Sequence, residues 1–354
     1  MLRRASRYLV AELIEPHLVL STSVRNGVIR YLANHQSCEA SSHKDRYDQI
    51  STGGQDRYHE TVCAEMGLPP GEVALMGTAA NMNYAAVVTA TDLDLEVTAV
   101  VTAGVQGNAS CAGDVAMWRE GEQGWQKIGG TINTILLINR PLTEAAMMRA
   151  VMTMTEAKST ALQRLAVRSR YSSDLATGTG TDQFAIAAPC VGGVRLTSAS
   201  SHVKLGELIG RTVRDATLEA LRWQNGLEPS YTRSLFTALA RFGLREETFF
   251  ADIAPLLSES DLALLRKNEK AVFYEPLVGA AAFAMAAVLD RVQYGSIPQS
   301  AAQEALRQQA ATMAASLAAK PDFWDAFRAQ LVETEPVPLT LRAIAIGWSA
   351  KWRS

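Results

Sequence analysis

The residues best suited to chemistry fall between Met76 and Gly210, in short polar blocks separated by apolar runs. In order they are Met76 to Met82, Val101-Thr102-Ala103-Gly104-Val105, Gly107-Asn108-Ala109, Ala112-Gly113-Asp114 and Gly130-Thr131-Ile132-Asn133. Then come Thr155-Glu156-Ala157-Lys158, Ala176-Thr177-Gly178-Thr179-Gly180-Thr181-Asp182 and His202 to Gly210. Asp114, Glu156 and Asp182 are candidate acid/base carboxylates, and Lys158 is a candidate cation for a developing negative charge. Threonine hydroxyls and asparagine amides offer donors and acceptors, while glycines let backbone N–H groups approach a ligand closely.

Each block has a plain reading beside the chemical one. Gly178 to Asp182 could cradle an anion, but no GK[ST] follows and no GxGxxG follows a strand; a glycine-rich turn closed by aspartate is the alternative. Glu156 and Lys158 stand two apart on a helix, so they do not face each other. One that points inward needs a partner or a ligand; on the outside it is an ordinary solvated charge. The five histidines (17, 35, 43, 59 and 202) make no HExxH and no i, i+4 pair, which gives a helix-borne zinc site little support. His202 could be a general base, a ligand for a cobalt centre or a residue of a helix cap; His35 is a weaker candidate. No GxSxG elbow is present. Cys111 reads as an incidental thiol rather than a nucleophile.

The elements that must position these groups show in the hydropathy pattern. Val97 to Val101, Ile132 to Ile138 and Phe184 to Ala188 have strand length and strand composition. Thr143 to Val167 and Val203 to Trp223 have helical spacing, with Thr143 placed to cap the first. After Asn225-Gly226 the pattern turns helical, over Tyr231 to Phe242, Ser258 to Lys267, Pro276 to Val292, Ser300 to Ala319 and Pro321 to Gln330, and proline or glycine marks most joins. The expected fold is therefore α/β or α+β: a mixed-sheet domain with helices over residues 1–224, then an all-helical region over 225–354. That second region would serve as a lid, a packing layer or an oligomerisation surface.

With 354 residues, 48% hydrophobic and 20% charged, the chain can bury a large core. A net charge of -2 argues against a general nucleic-acid binder. Cys38, Cys63, Cys111 and Cys190 form no CxxC and fit reduced thiols of a cytoplasmic protein. No signal peptide is read at the start. The apolar stretch Leu277 to Leu289 is too short to span a bilayer and is expected as a buried helix, so no membrane partner is expected.

The series of blocks resembles the adenosylcobinamide amidohydrolase family of corrinoid salvage. The resemblance is carried by Thr102-Ala103-Gly104, Asn108-Ala109, Ala112 to Asp114, Gly130 to Asn133, Thr155 to Lys158, Ala176 to Asp182 and His202 to Gly210. Leu20 to Ser23, Asn26-Gly27 and Asn34 support it upstream. It covers roughly residues 15 to 224, and seven motifs in one order are far more specific than any single one. One departure is the turn Val105-Gln106-Gly107-Asn108, which reads as longer than the family's. The resemblance implies hydrolysis of the amide joining aminopropanol to the corrin ring, giving adenosylcobyric acid and 1-amino-2-propanol. It implies a corrinoid substrate that brings its own cobalt, with no separate cofactor or metal assigned and a homo-oligomer allowed. Asp114, Glu156, Lys158, Asp182 and His202 are then the catalytic candidates. Thr102, Gly104, Asn108, Thr131, Asn133, Thr155, Thr179, Thr181 and Glu207 are the substrate-binding candidates.

Overall fold

The computed structural model describes residues 1–37, 43–116 and 131–352. They form two units, 1–228 and 229–354.

The first unit is built on β1 (Leu2–Arg4), β2 (Tyr8–Ser21), β3 (Gly27–Gln36), β4 (Val73–Thr78), β5 (Ala86–Asp92), β6 (Leu95–Ala103), β7 (Ala109–Ser110), β8 (Ile132–Ile138), β9 (Gly178–Thr179) and β10 (Gln183–Pro189). Its helices are α1 (His43–Met66), broken at Gly54, α2 (Glu144–Arg164) and α3 (Lys204–Asn225). The mixed sheet runs β4-β3-β2-β10-β8-β6-β5, while β7 and β9 form a separate ribbon. Strand β2 is long enough to serve two partners along one edge: β1 pairs with Leu9 to Ala11, and β10 with His17 to Ser21. A register shift lies between these stretches, from Glu12 to His17.

Alternation along the strands sorts the core. Val97, Ala99, Val101, Ile132, Leu136 and Ile186 face α2 and α3. Val10, Ala33, Val73 and Leu75 pack on Val62, Cys63 and Met66 of α1. The remaining face, with Leu9, Leu32, Met76, Val100, Ile135 and Ala187, packs against other strand residues and the Met82–Ala85 turn. A flat sheet could not do this. Strands β3 and β6 are four positions apart, about 19 Å at the usual spacing, yet Asn34 Nδ2 donates to Thr102 Oγ1 at 2.7 Å. The sheet therefore curls until its helix-free face closes on itself, with apolar packing along most of the closure and a polar end at Asn34 and Thr102.

The second unit is helical: α4 (Leu235–Leu239), α5 (Phe249–Ile253), α6 (Glu259–Lys267), α7 (Glu269–Phe273), α8 (Pro276–Gln293), α9 (Gln299–Ala318), α10 (Trp324–Ala329) and α11 (Pro336–Lys351). Its core centres on Phe236, Phe249 and Phe273, whose rings meet edge to face at 4.8–5.6 Å. Gly347 lets α11 approach α9 closely, because a Cβ there would sit 2.6 Å from the Ala314 carbonyl oxygen.

The expected mixed-sheet-then-helical class is what the structure has. One expectation needs correcting. The apolar stretch from Leu277 is neither too short nor a wholly buried helix: α8 spans 18 residues, long and apolar enough by length and composition to cross a bilayer, and buries Val278, Ala281, Ala282, Met285 and Ala286, while Leu277 is 59% and Phe283 37% exposed. A stretch of alanines reads as core in a hydropathy pattern, yet alanine costs little to leave in water, so only one face needed covering.

Candidate active site

Three of the sequence blocks meet at one carboxylate. Lys158 projects inward from α2 and pairs with Asp182 Oδ2. Asp182 Oδ2 also accepts the Thr179 amide at 3.0 Å, and Oδ1 accepts the Ile132 amide at 3.0 Å and the Thr179 hydroxyl at 2.5 Å. Four donors thus converge on Asp182 from α2, the start of β8 and its own loop. The pair is well enclosed, with side chains 14% and 17% exposed. Gly178 makes room for it: a Cβ there would lie 2.5 Å from Asp182 Oδ2 and 2.8 Å from Lys158 Nζ. Ser159, next along α2, donates to the Thr177 carbonyl at 2.7 Å and fastens the same loop.

A buried polar row runs away from this knot along the closed face. The Thr131 hydroxyl donates to the Thr181 carbonyl and is 3.1 Å from Asn133 Oδ1. Asn133 Nδ2 donates to Asn34 Oδ1 at 2.9 Å and to the Gly77 carbonyl at 3.0 Å. Asn34 in turn reaches Thr102, the cross-strand neighbour of Asn133. At the other end Asn108 Nδ2 donates to Thr181 Oγ1 at 3.3 Å, and Tyr171 donates to Asn108 Oδ1 at 3.0 Å. Asn34, Thr102, Asn108, Thr131 and Asn133 are all at most 4% exposed. Buried groups of this kind must find partners, and these find them chiefly in one another. The row acts first as the lock that holds the curled sheet closed.

The ligand-reachable groups lie at its rim. Gly180 and Thr181 are exposed, Gly104 is half-buried, and Asp114 is half-buried in the turn after β7. Asp114 Oδ2 accepts the Cys111 amide at 2.7 Å and the Ser169 hydroxyl at 2.6 Å. Partial burial works to raise the Asp114 carboxyl, but hydrogen bonds from Ser169, Ser172 and the Cys111 amide outweigh it and hold the group below its ordinary range. Burial, reinforced by Asp174 and Asp114, pushes the Cys111 thiol up, so it stays protonated and a poor nucleophile. The Ala112 amide donates to Thr177 Oγ1 at 2.8 Å, tying the Asp114 turn to the loop that carries Asp182.

The structure thus gathers Asp114, Lys158, Asp182, Thr102, Gly104, Asn108, Thr131, Asn133, Thr179 and Thr181 at one end of the sheet. Cys38 and Gly130 lie outside the described residues. Thr155 and Glu156 are exposed on α2, and the Thr155 hydroxyl bonds its own helix at the Val151 carbonyl. His202 and Glu207 sit elsewhere. They belong to the start of α3, where Lys204 approaches Asp92 at 3.8 Å and bonds Glu207 at 2.7 Å. The other end of α3 meets the site, because Gln224 accepts the Asn81 amide at 2.9 Å and Asn225 the Val105 amide at 3.1 Å. The helix is 22 residues long, which sets those ends about 30 Å apart. His202 is exposed, and the hydrogen bond from Lys204 holds Glu207 below the usual carboxylate range as one of a group of surface charges. Gly206 serves a local packing need, because a Cβ there would collide with the Ser200 carbonyl oxygen.

Sequence reasoning missed Ser169, Tyr171, Gln224 and Asn225. They lie in stretches without a repeated or Gly-rich signature, and only the fold brings them in. Among the described residues no three His, Cys, Asp or Glu side chains form a group able to hold a metal ion.

Comparison with known proteins bears on the first unit. An uncharacterized protein of Methanocaldococcus jannaschii is 33% identical over 235 residues, covering 63% of this chain and 89% of the relative. The sequence model of the family described as adenosylcobinamide amidohydrolase matches residues 2–229, nearly the whole unit that contains the knot and the polar row. By that match the chain belongs to the adenosylcobinamide amidohydrolase family.

Proposed function

We propose that the protein hydrolyses the amide between aminopropanol and the corrin ring of adenosylcobinamide, giving adenosylcobyric acid and 1-amino-2-propanol, in the cytoplasm during corrinoid salvage and remodelling. The observation that carries this reading is the convergence of six of the seven motif blocks, all but His202 to Gly210, on one end of the sheet, with an ionised carboxylate at its rim. In this reading Asp114 is the base. It takes a proton from the attacking water as the C–O bond forms, and passes a proton to the departing nitrogen as the C–N bond breaks. Lys158, with N–H groups beyond the one on Asp182, offsets charge on the carbonyl oxygen. Asp182 already accepts four donors, which suits a positioning residue better than a proton carrier. The rim backbone and Thr181 would hold the amide-bearing fringe of the ring.

Incubation with adenosylcobinamide in ¹⁸O water, read by mass spectrometry, should give adenosylcobyric acid carrying one heavy oxygen. Asp114→Asn should slow turnover about 10²–10⁴-fold; unchanged turnover would remove Asp114 from the mechanism. Because its carboxyl is held low, its basic form persists above that value and is lost only as pH falls through it. The rate should therefore not decline through the weakly acidic range on account of this group. Retention of adenosylcobinamide without release of aminopropanol would favour a corrinoid-holding protein instead.

A further inference from the structure

We infer that β5 is a pairing edge for a second copy of this chain, which adds its own β5 antiparallel across a twofold axis at Thr89. The two edges of the sheet are finished differently. At β4, the Leu75 amide donates to Ser23 Oγ and the Gly77 amide to Gln183 Oε1, both at 3.0 Å, so side chains from elsewhere in the unit occupy that edge. At β5, pairing with β6 is regular from Ala86↔Val101 to Asp92↔Leu95, on either side of the two-residue turn Leu93-Asp94. The pair that closes such a turn exchanges both its hydrogen bonds, so Asp92, Ala90, Val88 and Ala86 bond β6. The N–H and C=O groups of Val87, Thr89 and Thr91 then point away from the sheet, and none of them is bonded among the described residues. Edge strands that stay unpaired are ordinarily blunted by lysine, proline or a bulge. The β5 sequence Ala-Val-Val-Thr-Ala-Thr-Asp has none of these, and Val87, Thr89 and Thr91 are exposed.

The edge is complementary to itself when reversed. Its outward groups fall at alternate positions centred on Thr89, so an antiparallel copy sets Thr89 against Thr89 and Val87 against Thr91, and every outward N–H meets a carbonyl. Its ends differ in charge. At the start, Arg4 Nη2 donates to the Ala85 carbonyl at 2.9 Å and brings a cation to the strand. At the far end stand Asp92, Asp94 and Glu96. Lys204 approaches Asp92 at 3.8 Å and Arg140 pairs with Asp94, while Glu96 has no ion pair among the described residues. Reversal brings the basic start of each strand to the acidic end of the other, whereas a parallel copy would bring like to like. Exposed apolar groups match in the same way. Leu93, 99% exposed at the turn, comes opposite Ala85 of the second copy and beside Tyr84 there, which is 39% exposed. This pairing stands whether or not the first unit is an amidohydrolase.

Light scattering on the full chain, with hydrogen exchange on the same samples, tests it. The wild type should be a dimer in which the Val87, Thr89 and Thr91 amides are protected. Thr89→Lys sets two ammonium groups face to face at the axis and leaves the β6 ladder alone. It should raise the dimer dissociation constant at least about tenfold and release that protection, with β6 and β8 still protected. Thr89→Cys should cross-link into a dimer under mild oxidant, because residues of a hydrogen-bonded pair lie about 5.5 Å apart at Cα, within disulfide reach. Thr91→Cys, which would stand opposite Val87, should cross-link no more than the wild type. A monomeric wild type overturns the proposal, whether those amides exchange freely or are covered by another segment. So does a dimer that keeps its affinity in Thr89→Lys, or equal cross-linking of the two cysteine variants.

Discussion

The two units solve the problem of an interior in opposite ways. The helical unit fills its centre with rings and alanines, and its specificity is a matter of shape: Phe236, Phe249 and Phe273 meet edge to face, and Gly347 sets how closely two helices cross. The sheet unit closes over a row of amides and hydroxyls, where each group has a direction and a required partner. An apolar core tolerates exchange of one hydrocarbon for another of similar volume, whereas a polar row loses a partner with nearly any substitution. Sequence signatures therefore concentrate in the first unit.

Substitutions can break or sharpen this contrast. Phe249→Ala should cost about 3–5 kcal/mol, with faster hydrogen exchange in α4 to α11 and native protection retained in β2, β8 and β10; loss of protection throughout would mean the units do not unfold separately. Lys158→Met should cost about 3–5 kcal/mol by leaving Asp182 enclosed without its counter-charge, measured by denaturant unfolding, with a loss of turnover at least as large as that of Asp114→Asn. Asn133→Ala should cost about 2–3 kcal/mol through unpaired Asn34 and Gly77 acceptors, whereas Leu306→Met, a volume-conserving change in the helical core, should cost less than about 1.5 kcal/mol. If the two were equal, the directional account of the polar row would fail. Smallest of all, His202→Ala and Glu207→Gln should each stay within about 0.5 kcal/mol in stability and leave turnover unchanged, because both stand at the far end of α3.

The sequence made the sheet unit's chemistry visible but not its geometry. Strands β6, β8 and β10 and helices α2 and α3 show in the hydropathy pattern, and Thr143 caps α2 at the Ala146 amide as its position suggests. The curl of the sheet does not show, because closure depends on strands far apart in sequence. Without it, Thr102 and Asn133 read as ligand contacts rather than as members of a row joined through Asn34. His202 misleads for the same reason: it sits in a motif, but the tight passage of the chain over Gly206 is enough to explain that motif locally. In the helical unit α11 escapes notice because Pro336 and Pro338 look like breakers, although proline is at home in a first helical turn.

The missing side chain at Gly178, whose place Asp182 and Lys158 fill, bears on how such a protein can change over time. Any larger side chain there displaces either Lys158 or Asp182, so the loop cannot drift one residue at a time without first losing its anchor. Neighbouring Thr181, Gln106 and Gly107 are exposed and leave a new side chain room in solvent. Divergence in what the site accepts should accumulate at those three positions, around an anchor that lineages inherit whole or lose altogether.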